Sequence, residues 1–264
     1  MKLGFIGCGN MASAIMSGII SNGLIQADEI IGADVFAPSR EKAKENLGIQ
    51  IAETNIKVVE KAEAFVLSVK PQYYEEVIAE IKDFVREDQL IITLAPGKTL
   101  AWLEEKFGKS VKLVRTMPNT PAMVQEGMTA ACPNDKVTAE ELEYVLQILR
   151  AFGDAEVVAE KLIDAVVAVS GSSPAYVYML IEAMADAAVA EGMPRAQAYK
   201  FAAKAVQGSA KMVLETGKHP GELKDMVCSP GGTTIEAVKV LEETGFRGSV
   251  MQAMEVCAEK SRSL

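Results

Sequence analysis

The chain is nearly without histidine: its 264 residues include one, His219. A zinc site built on imidazoles and a Ser-His-Asp triad are therefore not expected. His219 precedes Pro220 and Gly221, so it reads as a histidine at a turn or helix start. Cysteine is also scarce. Cys8, Cys132, Cys228 and Cys257 lie far apart and in no CxxC pair. Free thiols in a reducing compartment are expected, and a disulfide framework or a metal centre is not. Basic charge is short too, with 27 Lys and Arg against 36 Asp and Glu and a net charge of -9. Attraction to phosphate backbones needs a basic surface, so no nucleic-acid partner is expected. No run of about 18 apolar residues occurs, so no membrane span is expected. The opening MKLGFIGCGN lacks the longer apolar core and cleavage site of a secretory signal. A cytoplasmic location follows as an expectation.

The composition, 49% hydrophobic and 24% charged, is that of a globular protein with enough chain for one large or two modest domains. Apolar runs at 2–6, 29–35, 64–69, 89–95 and 111–117 read as strands. Between them ASAIMSGIISNG, SREKAKENLG, YYEEVIAEIKDFV and TLAWLEEKFG read as helices, the second stopped by Gly48. Strand alternating with helix predicts an α/β fold: an N-terminal Rossmann-type doubly wound sheet over residues 1–160, parallel and covered on both faces. From about Asp164 the strand signals stop. Ala- and Met-rich helical runs follow, with apolar residues on more than one face. Residues 161–264 are therefore predicted to be all-helical, with a partner subunit as the cover for those faces.

Gly7-Cys8-Gly9-Asn10-Met11-Ala12 fits G-x-G-x-x-A between a strand and a helix. Gly7 permits the tight turn, Gly9 lets a pyrophosphate approach the backbone, and Ala12 lets helix and strand pack closely. The pyrophosphate then rests on the free N–H groups of the helix start. Asp34 stands where an acid binds the ribose hydroxyls of NADH, or it is a turn residue. Ser39 and Arg40 follow and suit a 2′-phosphate. The reading is NADPH, with NADH as the alternative. Asn55, Lys70, Pro71, Ala95 and Gly97 fall at or near the C-terminal ends of strands, the ligand edge of such sheets. With Asn119 of the turn PNTP they are the further candidate cofactor contacts; ordinary strand-to-helix punctuation is the competing reading.

Near the C-terminus SPGGTTIEAV sets two glycines and two threonines ahead of an amphipathic helical run. The plain reading is a turn and an N-cap; the sharper one is an anion site made of backbone N–H groups.

In order along the chain, GxGNMA, VKPQ at 69–72, MPNTP at 117–121, SGSSPAY at 170–176 and SPGGTTIEA at 229–237 make it similar to the pyrroline-5-carboxylate reductases, over essentially its whole length. The resemblance implies reduction of the cyclic imine of pyrroline-5-carboxylate to proline with NADPH or NADH. It also implies a homodimer through the helical half, residues 161–264, which then serve substrate binding and dimerisation, and it allows a larger ring of dimers. For that substrate's carboxylate, the Gly231-Gly232-Thr233-Thr234 backbone at a helix start offers N–H donors and Ser229 a hydroxyl; the resemblance implies that Thr234, the catalytic residue, bonds the ring nitrogen. Ser172 and Ser173 join the same cavity or serve only as helix caps. No metal is implied. The chain departs from the family at two points. An acidic residue before the His-Pro-Gly turn is replaced at Gly217 or Lys218, with Glu215 nearby, and an Asn before the Ser-Pro-Gly-Gly loop is Met226. Both bear on the details of substrate hydrogen bonding.

Two other readings were weighed. A β-hydroxyacid dehydrogenase would use a helical Lys with an Asn one turn later, but Lys200, Lys204 and Lys211 are followed at that spacing by Lys204, Gly208 and Glu215. A nucleotide-sensing Rossmann protein would have no use for a second anion pocket.

Overall fold

The computed structural model describes residues 2–94 and 96–263. Contacts divide the chain into two compact units, Met1–Ser172 with Cys257–Leu264, and Ser173–Val256. The sequence reading drew its boundary at 160/161. The contacts draw theirs at 172/173 and return the end of the last helix to the first unit.

The first unit is a sheet of eight strands with helices on both faces. Along the chain they run β1 Leu3–Ile6, α1 Asn10–Ser21, β2 Ile30–Ala33, α2 Ala37–Leu47, β3 Gln50–Ile51, α3 Asn55–Lys61, β4 Ala64–Leu67, α4 Tyr74–Ile81, β5 Leu90–Thr93, α5 Leu100–Phe107, β6 Lys112–Met117, β7 Gly127–Pro133, α6 Ala139–Arg150 and β8 Gly153–Val157. The strand order is β3-β2-β1-β4-β5-β6-β7-β8. All pairs are parallel except β6 with β7. The order reverses between β1 and β4, which makes the ends of those two strands the ligand crevice of a doubly wound sheet.

The strands β1, β2, β4 and β5 are buried at every residue, as a sheet covered on both faces requires. Side chains alternate between the two layers: Leu3 and Phe5 join Ile15, Ile19, Leu149 and Phe152 on the α1–α6 side. Ile6 joins Val58, Tyr74, Ile78 and Leu103 on the α3–α4–α5 side.

The five apolar runs are β1, β2, β4, β5 and β6. The stop at Gly48 is a left-handed cap with φ 72°. The sequence reading assigned no element to β3, α3, β7, α6 or β8. Strand β7, GMTAACP, is built from small residues that carry little apolar periodicity. Strand β8, GDAEV, sits at the sheet edge with one buried residue.

Helix α7, Ile163–Val166, runs into a π-helical turn, Val167–Gly171. The second unit is helical: α8 Ser173–Ala190, α9 Arg195–Thr216, α10 Pro220–Val227, α11 Thr233–Glu243 and most of α12 Phe246–Arg262. Few of its side chains are buried: Ala185 in α8, Ala198 and Ala202 in α9, none in α10 or α11. Met179, Leu214 and Met251 are each about 70–80% exposed. Where the sequence reading found no apolar run long enough for a membrane, one helical stretch, Glu160–Ala190, is long and apolar enough by length and composition alone, at mean hydropathy 1.2. Ala and Val dominate it, and little of it is buried within the chain.

Candidate active site

The loop after β1 is shaped by its neighbours. Gly7 has φ 99°, a conformation that side chains resist. A Cβ there would also lie 2.9 Å from the carbonyl carbon and oxygen of Ser68, at the exit of β4. The Ser68 hydroxyl donates to the carbonyls of Ile6 at 3.0 Å and Gly7 at 2.7 Å. It thus ties the two strands at the crevice. The Cys8 amide donates to Asp34 Oδ2 at 2.8 Å, and the Phe36 amide donates to Asp34 Oδ1 at 2.8 Å. Both carboxylate oxygens therefore hold backbone. Of the two readings of Asp34, these bonds favour the turn residue. The Arg40 guanidinium donates to the Asp34 carbonyl, which sets it beside the end of β2.

Burial pushes the Cys8 thiol up to about 12, with the nearby Asp34 charge adding to the effect. It is therefore a packed neutral group and not a nucleophile.

Helix α1 begins from Gly9 with no side-chain cap and no acid in its first turn. Its first amides, from Asn10 to Ala12, lack the carbonyl partners of a helix interior. Helix α2 begins in the same way, from Phe36, without a side-chain cap or an early acid, and carries Ser39 and Arg40 in its first turn. Two positive helix ends thus flank the crevice. At the ends of β1 and β2, against α3 and α4, lies a cleft of about 250 Å³ lined by Gly7, Asp34, Val35, Asn55, Tyr73 and Glu80, among others. Asn55 opens α3 and donates to Glu80 at 2.7 Å. Val35 and Phe36 form an exposed apolar rim.

Further along the same edge, exposed Lys70 leads into a 3-10 turn at Pro71–Tyr73. The Tyr74 hydroxyl donates to Leu67 O at 2.6 Å and accepts from the Leu94 amide at 3.1 Å. Gly97 has φ 75°; Ala95 lies outside the described residues. Asn119 is buried, donates to Ser170 O at 3.1 Å and accepts from Met128 N at 2.9 Å. Its amide joins the end of β6, the start of β7 and the π turn.

The second set of candidates lies in the helical unit. Helix α10 is capped by His219, whose Nδ1 accepts from the Gly221 amide at 3.0 Å. The single histidine is thus a helix-start residue. After α10, Gly231 has φ 66°, and the Gly232 amide donates back to Ser229 O at 3.0 Å. A Cβ at Gly232 would collide with Ser229 Oγ. Helix α11 starts from Gly232 with no side-chain cap, which leaves the early amides at Thr233 and Thr234 to a ligand. Glu236 stands in that first turn and partly opposes an anion.

Ser172 ends the π turn and accepts from the Cys257 thiol at 3.2 Å; Ser173 opens α8. Ser172 lies in the first unit and Ser173 in the second.

Sequence reading missed Ser68 and Tyr74, and left the two readings of Asp34 open. A serine after a buried strand and a tyrosine at a helix start are too common to signal such ties. Among the described residues no group of His, Cys, Asp or Glu is arranged to hold a metal ion.

Residues 160–264 match the family described as pyrroline-5-carboxylate reductase dimerisation, and residues 2–97 match NADP oxidoreductase coenzyme F420-dependent. The chain is 55% identical to the pyrroline-5-carboxylate reductase of Escherichia coli (strain K12), covering all of this chain and 98% of that one. It superposes on the pyrroline-5-carboxylate reductase of Coxiella burnetii with TM-score 0.93 at 34% identity, covering 99% and 97% of the two chains. On the NADP-bound pyrroline carboxylate reductase of Plasmodium falciparum the TM-score is 0.90 at 33% identity, covering 100% and 97%. On its likeness along the full length, the chain belongs to the pyrroline-5-carboxylate reductase family.

Proposed function

We propose that this chain reduces the C=N bond of pyrroline-5-carboxylate to give L-proline, the last step of proline biosynthesis, with NADPH as reductant. The observation that carries the reading is the second glycine-opened helix start at α11, a place for a small carboxylate in a chain that already has a dinucleotide loop.

The cofactor fits the residues present. The uncapped N-terminus of α1, with Gly7, Gly9, Asn10, Met11 and Ala12, takes the pyrophosphate. Ser39 and Arg40, at the uncapped start of α2, take the 2′-phosphate, since the Asp34 carboxylate is occupied by the amides of Cys8 and Phe36. That favours NADPH over NADH. Asn55, Lys70, Pro71 and Gly97 line the remaining edge of the crevice, and Asn119 steadies the turn beside it. When bound, NADPH supplies the hydride.

Toward the substrate, Ser229, Gly231, Gly232 and Thr233 hold the carboxylate through amides and a hydroxyl. Thr234 holds the ring nitrogen as it becomes an amine. Ser172 and Ser173 are the further candidates for substrate binding, with helix capping as their other role. A protonated imine is already electrophilic, so the residues need chiefly to orient it. A site without an available histidine is adequate for that.

The protein is a homo-oligomer. We assign the dinucleotide role to residues 1–160, and substrate binding and dimerisation to residues 161–264. The exposed apolar side chains of α8, α9 and α12 support a subunit contact there, because a monomer rarely leaves such faces in water. A ring of dimers and a cytoplasmic location complete the reading.

The test is NADPH oxidation with pyrroline-5-carboxylate, repeated with NADH. Turnover with proline as product, faster with NADPH, is the expected result. No turnover from folded protein that binds NADPH would overturn the substrate assignment.

A further inference from the structure

Arg115 on β6 is nearly buried, and its guanidinium donates to Glu160 Oε1 at 2.8 Å. The same oxygen accepts the Leu100 amide at 2.7 Å. Leu100 is the first residue of α5, and its amide is one of the orphan donors of a helix start. Thr99 serves a different one, accepting from the Trp102 amide at 3.1 Å. Glu160 is therefore a cap supplied from a distant part of the sequence, and a buried cation fixes its position.

The segment this arrangement holds runs from β5 to α5 along the ligand edge of the sheet and contains Gly97. Its two ends are tied independently. At the β5 end, the Leu94 amide donates to Tyr74 OH and to Leu67 O. At the α5 end, Glu160 holds Leu100. Leu94 and Leu100 are six positions apart, so the two anchors bound where Gly97 can stand. From within the segment, the Lys98 ammonium reaches over the Trp102 ring at 4.6 Å.

We propose that Glu160 is a positioning residue for the β5–α5 segment. It sets the distance between the C-terminal end of β5 and the start of α5, and through that the affinity for NADPH. The inference rests on reading this edge as the cofactor site. Glu160 touches neither the substrate nor the cofactor in this role; it acts through the Leu100 amide, with Arg115 holding its carboxylate in place.

The chain has a single tryptophan, Trp102, in the first turn of α5. Its fluorescence, quenched on NADPH binding, gives the dissociation constant directly, and thermal unfolding is measured on the same samples. Three variants separate positioning from mere stability. Glu160→Gln keeps an acceptor for Leu100 but loses the charge facing Arg115. Its thermal midpoint is expected to fall while its NADPH affinity stays within about threefold of the parent. Glu160→Ala removes the acceptor, and its affinity is expected to fall about tenfold. The double variant Arg115→Met with Glu160→Leu replaces the pair with apolar side chains. Its thermal midpoint is expected to recover while its affinity remains about tenfold weak. Affinity that follows the thermal midpoint through the series, or that does not change in any variant, overturns the proposal. So does full affinity in the double variant, which decides the matter if Glu160→Ala does not fold. Failure of the unaltered protein to bind NADPH overturns the cofactor reading itself, and this inference with it.

Discussion

Helices α1 and α11 both start from glycine without a side-chain cap, yet they are supported in opposite ways. Helix α1 has six buried residues and stands on the central strand of the sheet. Helix α11 has none. The turn before α1 is over-determined: Gly7 is wedged against Ser68, and Cys8 is hydrogen-bonded to Asp34. The turn before α11 has one backbone bond, from Gly232 to Ser229, and open space around Gly231. The same electrostatic device is thus fixed by its own chain in one place and only sketched in the other. A homo-oligomer can supply what the second place lacks. The α1 turn is held by its own chain, whereas little of that chain packs against α11.

Substitutions at the two turns test that contrast. Gly7→Ala meets both a forbidden φ and the Ser68 backbone. NADPH binding is expected to fall beyond detection in a fluorescence titration, with stability reduced by about 3 kcal/mol. Thr234→Ala is expected to lower kcat by on the order of 10²-fold with NADPH affinity unchanged. Unchanged turnover there would remove Thr234 from the mechanism. Arg40→Met is expected to raise the KM for NADPH about tenfold and leave that for NADH alone. Equal changes for both cofactors would end the assignment of Arg40 to the 2′-phosphate. Gly231→Ala, with nothing near its Cβ, is expected to cost only the strain of a left-handed residue, about 1–2 kcal/mol. A larger loss would show that the α11 turn is held more tightly than its own chain implies.

The smallest effect expected is on Cys8. Its thiol is raised from 9.0 to about 12 in the folded chain. A raised thiol contributes stability below pH 9 that is lost as the pH climbs toward 12. Thiol-labelling at neutral pH should therefore modify Cys228 and Cys257, which are partly exposed, before buried Cys8 and Cys132.

Much of this was legible in the sequence, for identifiable reasons. Continuous runs such as LGFI and LIIT are buried on both faces and announce central strands without alternation. The glycine fingerprint and SPGGTT are legible because backbone N–H sites need glycine at fixed offsets. Strands β7 and β8 were not legible, since small residues and an exposed edge erase the periodicity on which the reading depends. Nor was the role of Asp34. An acid after the second strand looks the same in sequence whether it faces a ribose or two amides. Only the 2.8 Å bonds to Cys8 and Phe36 distinguish the cases. The distant pairing of Glu160 with Leu100 and Arg115 leaves no local trace at all.

The double use of Asp34 bears on descent. In many dinucleotide sheets the residue after the second strand can drift, and cofactor choice drifts with it. Here a change at Asp34 would loosen the turn that carries Gly7 and Gly9. A lineage or a protein engineer seeking the other nicotinamide cofactor meets less resistance at Ser39 and Arg40, on the half-exposed first turn of α2. On the proposed assignment of the 2′-phosphate to Ser39 and Arg40, cofactor preference and the integrity of the Gly7 turn rest on different residues, so one can change while the other stays fixed.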